Sequence, residues 1–252
     1  MRYIIYSFLI FKFLIFSISD TNAQDSLKVA LALKYELEKP TLKWPISKVK
    51  RFDAVVSGKQ LEENGVVVVL RTQSKRLREL GVISRNPEIS ERQRSNLKLK
   101  IEGIKQESKL INTALISNFT TNYEFSDVYF VYDSSLTDLK NGVTSGIFVD
   151  SKTKKVDNSI KLTATNFYIC NYTLVSSSNE SEGLVIYNSK MERVKEPFPG
   201  IAVAGSSGLN MLLQLLTSDD TYLNRKIEKD ILKLERNLTI LMEKGDREFK
   251  QP

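Results

Sequence analysis

The chain has 252 residues, with 37 Lys and Arg against 30 Asp and Glu, a formal charge of +7, one cysteine and no histidine. That length suits one substantial domain or two small ones with a real apolar core. Without histidine the usual zinc ligand sets, haem ligation through histidine and His-dependent triads are excluded, and a lone Cys170 excludes an intrachain disulfide.

The basic excess is spread along the chain and interleaved with acids, so it reads as solubility. No arginine-rich block, finger or aromatic-basic sheet motif accompanies it, and specific nucleic-acid binding is not expected. At the N-terminus Arg2 precedes an apolar run from Ile4 to Ile18, broken only by Tyr6, Ser7, Lys12 and Ser17, and Thr21-Asn22-Ala23 supplies the small residues a signal peptidase reads. This predicts a signal peptide over 1–23, a mature chain that is periplasmic or secreted, and no transmembrane span after cleavage.

Residues 24–252 are read as a single globular domain. Ser26 to Glu38 carries the spacing of a short amphipathic helix, ended by Pro40 and Pro45, and Trp44 reads as a packing residue. Ala54-Val55-Val56 suggests a short strand, Gly58 a break, and Asn64-Gly65 a turn. The run Val66 to Leu70 is too short for a buried helix and wholly aliphatic, so it predicts a central strand buried on both faces. A helix from Thr72 or Ser74 to Gly81 should follow. The loop after a central strand is where ligands bind in α/β proteins, which makes Arg71, Thr72, Ser74 and Arg76 candidates for an anion site. They also suit a solvated basic helix start, and no glycine-rich phosphate loop accompanies them.

From Pro87 to Phe119 a crossover helix is expected, with Leu97, Ile101, Ile104, Ile111 and Leu115 on one face and Ser108 interrupting them. Its other face, including Lys105 and Lys109, reads as solvated. A second strand, Asp127 to Tyr132, ends at Asp133 and Ser134, which are either a helix cap or ligand-facing groups.

Beyond Asn141-Gly142 short strands are predicted at Gly146–Asp150, Ile160–Leu162, Asn166–Val175 and Gly183–Met191, with Phe167–Val175 pairing antiparallel to Leu184–Tyr187. Cys170 falls inside the third and reads as a buried structural thiol. Glu196-Pro197-Phe198-Pro199-Gly200 forms a rigid turn, with a cis proline among its options, before an edge strand at Ile201–Ala204. In Gly205-Ser206-Ser207-Gly208, Ser206 and Ser207 offer a helix cap or an anion site. Leu209–Leu216 is apolar and helical, and Tyr222–Lys244 is an amphipathic helix stopped at Gly245. Ile227, Ile231, Leu234, Leu238 and Leu241 share one face of that helix, for packing or for a dimer seam.

The expected fold is therefore α/β, or α+β, with a central mixed β-sheet, a long crossover helix, an antiparallel portion and a C-terminal helix. The Ala23-Gln24 junction, the Asn64-Gly65 valine-rich strand, the basic helix before Asp127–Tyr132, and Glu196-Pro197-Phe198-Pro199 together resemble a group of small exported proteins of the Bacteroidota to which no activity is assigned. That resemblance implies the periplasm or outer surface and transfers no catalytic residue. The sequence alone leaves three readings. The first is an envelope or periplasmic binding protein for an envelope partner or small anionic ligand, the second a His-independent hydrolase using carboxylates or lysine, and the third an assembly protein using its C-terminal helix. No cofactor and no metal are called for.

Overall fold

Five consecutive aliphatic residues, Val66–Leu70, form strand β1, and all five are buried because the sheet is covered on both faces. The computed structural model describes residues 47–175, 181–203 and 219–249, all within one compact unit, Ile46–Pro252. The predicted signal peptide, the 26–38 helix, Trp44, Ser206, Ser207 and the 209–216 segment lie outside the described residues. The other strands are β2 (Val128–Tyr132), β3 (Phe148–Val149), β4 (Tyr168–Leu174), β5 (Glu182–Asn188) and β6 (Ile201–Ala202). The helices are α1 (Lys48–Asn64), α2 (Ser74–Ser84), α3 (Glu91–Asn122), α4 (Leu136–Lys140, after a 3-10 turn at Asp133–Ser135) and α5 (Asp219–Phe249).

One mixed sheet results, in the order β3-β2-β1-β4-β5-β6. β1 pairs in parallel with β2 on one side and β4 on the other, while β3, β5 and β6 add antiparallel. The register sets Leu70 beside Tyr132, and Val69 beside both Val131 and Asn171, so three carboxyl ends stand together. Both edge strands have only two residues, which limits exposed edge pairing.

Alternation along the strands divides the core between two layers. Val67, Val69, Val131 and Ile169 pack with Leu139, Phe148, Leu162 and Phe167 from the connection between β2 and β4. Tyr168 and Tyr172 point the other way, to Gln60 of α1 and Lys226 of α5. α3, the crossover between β1 and β2, packs against both strands and α5. Ile227, Ile231, Leu234, Leu238 and Leu241 are fully buried, so this face of α5 is spent on the chain's own core.

Several local expectations are corrected. Ala54–Val56 is helical, because Ala54, Val55 and Leu61 are the buried stripe of α1, and Gly58 lies inside that helix. Gly65, with φ 80°, ends α1 and donates to Leu61 O at 3.0 Å. Gly81 does not stop α2, which continues to Ser84. α3 begins at Glu91 rather than Pro87, because Ser90 and Gln93 form a capping box. Gly245 does not stop α5 either; it is buried where a methyl group would lie 2.5 Å from Val55 Cγ2. The 160–162 segment makes only an isolated bridge, Ser145 with Lys161. β5 ends at Asn188, whose side-chain oxygen accepts the amides of Lys190 and Glu192 and turns the chain.

Antiparallel pairing of β4 with β5, the edge position of β6 and the burial of Cys170 agree with expectation. The Glu196–Pro197 bond is cis. Among the described residues no helix is long and apolar enough to cross a membrane.

Candidate functional site at the carboxyl edge of the parallel strands

Arg71 leaves β1 where strand pairing ends, and a side chain completes its hydrogen bonding. Asn112 of α3 accepts from Arg71 N through Oδ1 at 2.8 Å and donates to Arg71 O through Nδ2 at 2.8 Å. One amide thus acts as a further strand for one residue. Gln73 comes next, in the left-handed region at φ 51°, a conformation that a residue with a Cβ adopts only when its surroundings hold it there. The holding group is Asp133, which accepts from Thr72 Oγ1 and, at 3.1 Å, from Gln73 N. Asp133 therefore fixes, from across the sheet edge, the residue at which α2 begins.

The two predicted strand exits converge as a result. Arg71 and Thr72 line a cleft of 310 Å³, a volume at the small end of the range for small-ligand pockets. Ser74 stands beside it, its hydroxyl 2.6 Å from that of Thr72, and Arg76 turns away to donate to Gln73 Oε1 at 3.1 Å. Asp133 braces the rim from behind, and Ser134 is exposed on the 3-10 turn.

The other wall belongs to α3. Lys105, Ser108, Lys109, Asn112, Thr113 and Ile116 follow one another at steps of three and one, a single helical stripe facing the cleft. Tyr132 of β2 and Lys154 close the remaining side. Sequence reasoning missed this wall because lysines at helical spacing also describe a solvated face. The available signal was Ser108, the one polar residue in the apolar repeat, which is only 5% exposed.

On its far side the Arg71 guanidinium is anchored. Nη2 donates to Tyr172 O and, at 2.8 Å, to Glu182 Oε1, above the Tyr172 ring at 5.4 Å. Lys226 donates to Tyr172 Oη at 2.8 Å and Glu182 O at 2.7 Å. Burial holds the Lys226 ammonium below its ordinary pKa, with Arg71 adding to the effect while Asp230 and Glu182 oppose it. Burial likewise pushes the Tyr172 hydroxyl up, so it stays protonated while accepting from Lys226.

A larger hollow of 1220 Å³ lies at the opposite end of β4, between α1 and the 188–201 turns. It mixes signs, with Asp53, Glu192 and Glu196 beside Lys50, Arg193 and Lys195, and shows no single chemical preference. Among the described residues no group of three or more Asp, Glu or Cys side chains is placed to hold a metal ion. Cys170 is buried with its thiol pKa pushed up by desolvation, which leaves it unreactive.

Fold and site together define a mixed α/β protein with a basic cleft at the carboxyl edge of its parallel strands. No protein-family model, curated protein or solved structure matches the chain.

Proposed function

We propose that this is an exported binding protein of the periplasm or cell envelope that takes a small anionic ligand in the cleft between α3 and the ends of β1 and β2. The observation that carries the reading is one of sign. Among the described residues every charged group lining the cleft, Arg71, Lys105, Lys109 and Lys154, is a cation, and no carboxylate lines it. Export rests on the N-terminal leader pattern and on the resemblance to exported Bacteroidota proteins. A binding role is favoured over carboxylate hydrolysis because Asp133, the nearest acid of the two strand exits, is already held by Thr72 and Gln73. It is favoured over assembly through α5 because the apolar face of that helix is buried within the chain.

Calorimetric titration with inorganic phosphate tests the reading. The mature chain should bind it, and replacing both Lys109 and Lys154 with alanine should reduce affinity about tenfold or more with an unchanged thermal midpoint, since both side chains are exposed. Equal affinity in the double variant would refute the assignment.

A further inference from the structure

Charge balance within the cleft narrows the ligand. Arg71 is matched by Glu182 at 2.8 Å, and Lys105 lies 3.8 Å from Glu102. Lys109 and Lys154 form no ion pair among the described residues, which leaves two positive charges uncompensated. Ser108 adds a directed polar group. Its hydroxyl oxygen accepts from Gln73 Nε2 at 3.5 Å, and its proton goes to no described residue, although the residue is only 5% exposed. A buried hydroxyl with an unused donor stabilises a compact acceptor placed against it.

We infer that the ligand carries a phosphate monoester, whose dianion is neutralised by Lys109 and Lys154 and accepts a hydrogen bond from Ser108. This rests on the anion-binding reading of the same cleft. A phosphate monoester gathers nearly two charges and three acceptor oxygens into one group, which suits a site at the small end of ligand-pocket volumes. A dicarboxylate divides the same charge between separate groups, and a phosphodiester carries only half of it.

The absence of histidine makes the inference testable by pH. The groups facing the ligand are Arg71 from the end of β1, Lys105 and Lys109 from α3, Tyr132 from β2, and Lys154, with Asp133 behind Thr72 and Glu102 beside Lys105. Histidine, the side chain that ordinarily changes charge between about pH 5 and 8, is not among them. A phosphate monoester changes charge in that range, through its second ionisation near pH 6.

The experiment titrates the mature protein with glycerol 3-phosphate, dimethyl phosphate and succinate at pH 5.0 and 7.5, and adds vesicles of phosphatidylcholine with and without phosphatidic acid. Glycerol 3-phosphate should bind about tenfold more tightly at pH 7.5 than at 5.0, and about tenfold more tightly than either competitor at pH 7.5. Binding of the soluble ester places the ligand among free metabolite-sized esters. The same preference seen only with phosphatidic acid vesicles places it on a lipid headgroup, and either result supports the inference. Equal binding of dimethyl phosphate or succinate, or no change with pH, overturns the monoester while leaving an anion site standing. Failure of every anion to bind overturns the site itself.

Discussion

Asn112 does two jobs with one amide, and the site depends on both. By accepting from and donating to the Arg71 backbone it satisfies the first residue beyond the β1 ladder and fixes where the guanidinium starts. Replacing it with alanine leaves an N–H and a C=O unpaired in a partly buried setting, with an expected loss of about 2 kcal/mol in urea denaturation and weaker phosphate binding. Unchanged stability would show that solvent satisfies these groups equally well. Little of this was legible in the sequence. Arg71, Thr72 and Asp133 could be nominated because strand ends are recognisable, but an asparagine within a charged helix carries no mark of the strand it will meet. Ser108 alone broke a pattern, and a buried hydroxyl beside the cleft is the physical reason.

At the scale of elements, glycine was the residue type most easily misread. Gly58 and Gly245 resemble a break and a helix stop, yet both lie inside helices at the α1–α5 contact. A methyl group on Gly58 would meet Met242 Sδ at 2.8 Å, and one on Gly245 would meet Val55 Cγ2 at 2.5 Å. Their role is close approach, reinforced at the end of the helix pair by Arg51 with Glu248 at 2.6 Å. Gly245→Ala should therefore destabilise the protein by about 1–3 kcal/mol through overpacking, although alanine has the better helix propensity. Adding Val55→Ala should restore part of that loss in the same thermal melt. A neutral or stabilising Gly245→Ala would show that the helices separate without penalty. Such pairing is invisible locally, because both partners lie almost two hundred residues apart in the chain.

For the whole molecule, the elements visible in the sequence were those whose local composition and final environment agree. β1, β2, β4 and β5 are rich in β-branched, aliphatic and aromatic residues whose core-facing members end up buried, and α3 and α5 are long periodic helices. α1 escaped because Ala54-Val55-Val56 is strand-like over three residues while its core contacts recur at helical spacing over a longer span. Strand order was not readable: placing β4 on the free side of β1 requires knowing which edge the second half of the chain meets. That placement gathers three carboxyl ends at one edge and gives the cleft its position.

The proposed ligand site is this edge rather than the larger mixed-charge hollow at the opposite end of β4. Backbone amide chemical shifts of the mature protein, followed as glycerol 3-phosphate is added, test it most directly. The largest saturable shifts should fall at residues 70–73, 105–116, 132 and 154. Shifts concentrated instead at residues 50–60 and 188–201 would place the ligand in the other hollow and contradict it.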